Sequence, residues 1–184
     1  MDCGFGRSGR CLLVVIASIA VAGTMIAAGP VNAHRARGAV PSARSSSARG
    51  FLRAVLHLQN IERRRHGLGS LGDTRALDRA ARRHVRDMVS RRYFGHVSPT
   101  GSDPLQRALG AGYRGRHTIS VGENLLSWST RLTAGEVVRK WMASPPHRQN
   151  ILSGRWSDVG IAMMGHATSG GRGLTVAVEF GHRL

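Results

Sequence analysis

Both cysteines of this chain fall within its first eleven residues, at Cys3 and Cys11. Whatever the rest folds into must therefore be held by packing and hydrogen bonds alone. Disulfide scaffolds, thiolate zinc sites, CxxC redox centres and cysteine nucleophiles are excluded for it. The cysteines themselves sit in a segment with its own signature. Arg7 and Arg10 precede an almost wholly apolar run over residues 11–28, and Val31-Asn32-Ala33 then offers small residues. That order of charge, apolar stretch and small residues is a secretion signal, with cleavage expected after Ala33. An uncleaved anchor is the rival, because the run approaches the length that spans a bilayer. The Gly29-Pro30 break favours cleavage.

Residues 34–50 are rich in Ser, Ala and Arg with no apolar period, so they are expected to form a flexible lead-in. One domain is expected over residues 51–184, secreted or held at the cell envelope. The net charge is +17, carried by arginine, with Lys140 the only lysine. A surface this basic is drawn to anionic envelope polymers or lipid headgroups. Aromatic residues are few, and no zinc-finger or recognition-helix pattern accompanies the charge. No specific nucleic acid is expected.

Helical periodicity begins near Phe51, where Phe51, Leu52, Val55, Leu56, Leu58 and Ile61 form one stripe and residues 62–65 are expected to face solvent. Gly67 and Gly69 end that helix. A second helix fits residues 74–91, with Leu77, Ala81, Val85 and Met88 inward and His84 beside them as a packing residue. Residues 93–103 form a loop, and Asp103-Pro104 opens a short helix. Thr133-Ala134-Gly135-Glu136 has the form of a capping box, its helix turning Val137, Val138, Trp141 and Met142 inward until Ser144-Pro145-Pro146. Residues 159–164 and 174–180 are β-rich runs joined by a glycine-rich turn, a hairpin signal. Helices first and a hairpin last make an α+β domain with a small sheet covered by helices.

Three strings stand out: Phe94-Gly95-His96-Val97-Ser98, Gly122-Glu123-Asn124-Leu125, and Trp141-x-x-Ser144-x-x-His147-Arg148-x-Asn150-Ile151-Leu152. Asn60-Ile61-Glu62 through Leu68 precedes them, and Val159-Gly160-Ile161 and Val178-Glu179-Phe180-Gly181 follow. In this order they resemble the bacterial branch of the CAP superfamily, which embraces cysteine-rich secretory proteins, antigen 5 and plant pathogenesis-related proteins. Its module is also called the SCP domain. The resemblance covers residues 51–182. It implies a three-layer α-β-α sandwich with a small central sheet, and a cleft lined by two histidines and two acids. His96 then corresponds to the first histidine, Glu123 to the first acid and His147 to the second histidine. The second acid is missing, because Trp-x-x-Glu is here Trp141-x-x-Ser144.

Chemically, two neutral imidazoles and a carboxylate are a candidate set for Zn²⁺ with open positions for water. The same trio could run acid–base chemistry, or it could be a buried cluster pinning three loops. Neither Ser98 nor Ser144 lies in a Gly-x-Ser-x-Gly elbow, and Ser144 is expected to cap a helix end or the next turn. Glu179 is expected near the sheet edge. Trp128 is expected either at the cleft rim or as a lid on the core. A binding role for an apolar, lipid or cell-wall ligand, with His96, Glu123, His147 and Ser144 at the cleft, is preferred to catalysis. The alternatives are an extracytoplasmic hydrolase using metal-activated water, and a basic wall-associated protein whose cleft is structural.

Overall fold

A computed structural model describes residues 43–183, with side chains from Ser47 onward; the expected signal and residues 34–42 lie outside the described part. The elements are α1 (Ala43–Arg65), β1 (Gly72–Asp73), α2 (Arg75–Arg91), α3 (Pro104–Gly110), β2 (Ile119–Trp128), α4 (Ala134–Ala143), α5 (Pro145–Ile151), β3 (Asp158–His166) and β4 (Arg172–Arg183). The strands form one sheet in the order β1-β3-β4-β2. The expected hairpin is β3–β4, antiparallel from Asp158↔Gly181 to His166↔Arg172. β4 is therefore a central strand, with β2 antiparallel on its other side.

Alternation along the strands divides the core into two layers. Leu126, Val159, Ile161, Val176, Val178 and Phe180 pack with Val55 of α1, Val137, Val138 and Trp141 of α4, and Ile151 of α5. On the opposite face Leu125, Ala162 and Ala177 meet Ala81, Val85 and Met88 of α2. This is the α-β-α sandwich expected above. The α2 face uses small residues because the helix lies almost on the sheet. A Cβ on Gly160 would come 2.1 Å from the Leu77 carbonyl carbon, which makes glycine obligatory in Val159-Gly160-Ile161.

Local signals set most helix boundaries. Asp103 and Thr133 each form a complete capping box, with Gln106 and Glu136 as partners. Leu68 N–H donates back to Arg63 O across Gly67, which has φ of 71°, so the glycine supplies the left-handed turn that ends α1.

Two expectations fail here, and a third is extended. α1 starts at Ala43, so residues 43–50 are helical rather than a flexible lead-in; Ala and Arg are strong helix formers and no proline interrupts them. Residues 62–65 do not all face solvent: Arg63 is 2% exposed. Its guanidinium donates to the carbonyls of Gly69 (2.7 Å), Ile151 (2.9 Å), Ser153 (2.8 Å) and Trp156 (3.2 Å). The proline pair also starts a helix as well as stopping one, since Pro145 occupies the first turn of α5, where a missing N–H costs nothing.

Candidate functional site

Glu123 projects from β2 toward α2 and α3, and its side chain is 1% exposed. A carboxylate so buried needs partners. His96 Nδ1 lies 2.7 Å from Oε2, and Arg107 Nη2 of α3 donates to Oε1 at 2.6 Å. Burial alone would raise the Glu123 pKa, but the His96 hydrogen bond and the Arg107 charge, with His84 beside them, hold it below the ordinary range. Glu123 is thus an ionised acceptor. It fixes His96 with Nδ1–H toward itself and Nε2 as the free nitrogen, on a side chain 56% exposed. Arg107 also donates to His96 O (2.9 Å) and Ser102 O (2.8 Å), tying the loop that carries His96 to α3.

His84 belongs to this cluster, contrary to the expected packing role. It is 1% exposed, with Nε2 3.0 Å from Gly95 O and 3.5 Å from Glu123 Oε1. Facing a carbonyl, Nε2 must carry the hydrogen. Burial lowers the His84 pKa, with Glu123 opposing, which keeps the ring neutral. Its place opposite an acid 39 residues away leaves no mark in helical periodicity.

Glu179 corrects a second expectation. It lies on central strand β4 directly across from Glu123, and it is fully buried. Arg107 Nε approaches Glu179 Oε1 only to 3.5 Å, and neither Glu179 oxygen has a well-formed hydrogen bond. Burial raises the Glu179 pKa well above the carboxylate range, reinforced by Glu123 and only partly offset by Arg107. A proton on Glu179 resolves the crowding, because Glu123 can accept it. An acid raised by folding contributes stability that is complete below its unfolded value, 4.5, and is lost as pH rises toward the folded one. Glu179→Gln removes that loss. Relative to the parent, its unfolding free energy should therefore rise by at least about 1 kcal/mol between about pH 4 and about pH 7 in urea titrations. A fall over that interval would mean that Glu179 is ionised and paired with Arg107.

His147 sits on the first turn of α5, partly buried. α5 is pinned to β2 on the opposite face of the strand: Asn124 Nδ2 donates to His147 O (3.0 Å), and Asn150 Nδ2 donates to Glu123 O (3.0 Å). Ser144 stands at the helix N-terminus but makes no capping bond. Its Oγ lies 2.8 Å from His147 Nδ1. The expected cap is thus a serine–histidine pair. Burial lowers the His147 pKa, and the nearby His96 lowers it further, so the two imidazoles sense each other.

Glu123 is not open as a third zinc ligand, since both its oxygens already have partners. Among the described residues no group of three or more His, Cys, Asp and Glu side chains is placed to hold a metal. His96 and Glu123 meet, but His147 turns its Nδ1 to Ser144, and the guanidinium of Arg107 occupies the carboxylate oxygen a dication would need. Of the expected set, His96 and Glu123 join Arg107 in a network of hydrogen bonds and one ion pair, while His147 pairs with Ser144.

The remaining side chains settle into structural places. Ser98 is buried, its Oγ accepting from Ser102 N–H (3.0 Å) and meeting Thr100 Oγ1 (3.0 Å), so it braces the loop. Trp128 packs on the core as a lid, with Lys140 Nζ 3.6 Å above its ring. Phe94 and Val97, flanking His96, are 52% and 54% exposed.

An α-β-α sandwich whose sheet carries a buried acid beneath a loop histidine, with a second histidine on an adjoining helix, is the arrangement of the CAP class. The profile of the CAP, or cysteine-rich secretory protein, family matches residues 56–180, and the chain belongs to that family. YkwD of Bacillus subtilis is 34% identical over 127 residues, which are 68% of this chain and 46% of that protein; the chain thus spans about half the length of this relative. Two solved structures share the fold at TM-score 0.64. One is an outer surface protein of Borrelia burgdorferi, at 19% identity over 74% of this chain and 96% of that one. The other is an extracellular protein with an SCP domain from Bacillus anthracis, at 23% identity over 81% of this chain and 45% of that one.

Proposed function

We propose that this chain is an extracytoplasmic binding module whose cleft takes an envelope-derived ligand with an apolar part and a polar head. The observation that carries this reading is the exposure of Phe94 and Val97 on either side of a half-exposed His96 that a buried carboxylate holds in one orientation. Apolar side chains so exposed beside a preorganised polar group are a recognition surface. The extracytoplasmic setting rests on the secretion signal in residues 1–33 and on relatives described as extracellular or outer surface proteins.

A hydrolase is the second reading, favoured by the Ser144–His147 contact at 2.8 Å. Against it, the carboxylate orients His96 and not the histidine beside the serine. One pair of assays separates the two. Binding of cis-parinaric acid, followed by its fluorescence, should weaken about tenfold in Phe94→Ser/Val97→Ser, from the loss of roughly 1.4 kcal/mol of apolar contact. Ser144→Ala should bind normally. Absence of binding removes the apolar-ligand reading. Turnover of p-nitrophenyl butyrate that disappears in Ser144→Ala establishes the hydrolase instead.

A further inference from the structure

The His96–Glu123 pair lies at β2, one outer strand of the sheet, whereas the other outer side is unfinished. β1 is two residues long and pairs with β3 only at Gly72↔Asp158 and Asp73↔Val159. β3 continues to His166, so among the described residues no strand covers it beyond Val159 on that side. Two contacts show which backbone groups point outward. Val159 O accepts from Thr74 N, and Ile161 N donates to Asp78 Oδ1 at 2.9 Å. In an antiparallel strand the N–H and C=O of one residue point to the same side and alternate along the chain. The outward set is therefore 159, 161 and 163. Thr74 and Asp78 satisfy its beginning. The C=O of Ile161 and both backbone groups of Met163 have no protein partner among the described residues.

This open stretch lies at the bottom of a trough between α1 and α2. Two adjoining hollows of about 310 and 400 Å³ share Arg49, Leu52, Arg82 and Ile161 as walls. Leu56 extends the apolar wall at one end, and Met163 at the other. A third hollow of about 580 Å³ follows past Met163 and Gly165 toward Arg131. The charges along the trough are ordered. Asp73 and Asp78 stand at the β1 end, where Arg82 already offsets Asp78. Arg49 and Arg53 form no ion pair among the described residues.

We propose that the β3 edge from Ile161 to Met163 is a docking site for an extended, acidic peptide segment of another protein, which adds as a strand in the row that β1 begins. Backbone groups with unmet hydrogen-bonding capacity call for a partner with a backbone ladder of its own, which an acyl chain lacks. Apolar walls at Leu52 and Leu56 receive alternate side chains, and the arginines select carboxylates. The acidic groups of the guest sit away from β1, because Asp73 and Asp78 repel them there. The opposing account is edge protection, in which the same arginines serve to keep other strands off.

Amide hydrogen exchange on the full-length protein tests this, with two blocked hexapeptides as probes. In one, glutamate alternates with valine and threonine; in the other, lysine replaces glutamate. The acidic peptide should slow exchange at the Met163 amide about tenfold at saturation, while the lysine peptide leaves it unchanged. Arg49→Glu/Arg53→Glu, two surface changes that spare the core, should reverse that preference. Met163→Pro, which deletes the outward N–H without touching the β4 ladder, should abolish protection throughout the trough. Equal protection by both peptides, or none at millimolar concentration, overturns the proposal in favour of edge protection. A Met163 amide already protected without peptide overturns it as well, since the edge is then occupied by the protein's own chain. None of these outcomes depends on the ligand of the His96 cleft.

Discussion

Arg107→Met is expected to lower the unfolding free energy by about 3–5 kcal/mol near neutral pH, the usual result of stripping one partner from a buried ion pair. The Arg107 side chain is 8% exposed, and it is the cation that meets Glu123 at 2.6 Å. Without it the carboxylate keeps only His96 and the distant His84, while Glu179 still crowds it from β4. The sign of the pH dependence follows. Glu123 is an acid lowered by folding, so its contribution is present above 4.5 and lost as pH falls through its folded value. The deficit of the variant should be largest near neutrality and shrink in acid, once Glu123 is protonated in both proteins. Urea titrations across that range decide the matter. A pH-independent deficit would assign Arg107 to loop bracing through His96 O and Ser102 O alone. Arg107→Lys should recover only part of the loss, because an ammonium cannot reproduce the planar fan of donors.

Arg63→Met should cost about as much by a different route. Among the described residues no acid pairs with this guanidinium; its partners are four carbonyls belonging to the α1–β1 turn, the end of α5 and the segment that follows it. Burial lowers its pKa without displacing the charge. Methionine fills the volume but leaves carbonyls of buried segments unmatched, at roughly 1–3 kcal/mol each before relaxation and water penetration. A drop of about 3 kcal/mol or more in thermal or urea unfolding is expected. Faster amide exchange should appear first around residues 66–71 and 151–157, where the carbonyls lie. A loss under about 1 kcal/mol would mean that water replaces the guanidinium readily.

What could be foreseen from sequence followed the reach of each interaction. α2 was legible because Leu77, Ala81, Val85 and Met88 repeat within the helix itself, and α4 because Thr133 and Glu136 cap it from three residues apart. The β3–β4 hairpin announced itself through apolar runs around a glycine turn. β2 did not, since Gly122, Glu123 and Asn124 look like a loop. Asn124 is buried because α5 supplies its hydrogen bonds, and position 122 is glycine because Trp156 lies where a Cβ would go. His96 and Glu123 were marked through the family resemblance, and the structure joins them directly. Arg63, His84 and Glu179 were misplaced for one reason: their partners lie far off in sequence or across a sheet, and a buried polar residue can be told from a solvated one only when those partners are known.

The position of β4 also dictates when the molecule can form. β2 and β3 touch only through this strand, which spans Arg172–Arg183. Until residue 183 has emerged from the ribosome, the sheet is two unconnected pieces and both helical layers lack a floor. Folding of the sheet must wait until β4 has been made, with pairings such as Glu123↔Glu179 closing long loops late and slowly.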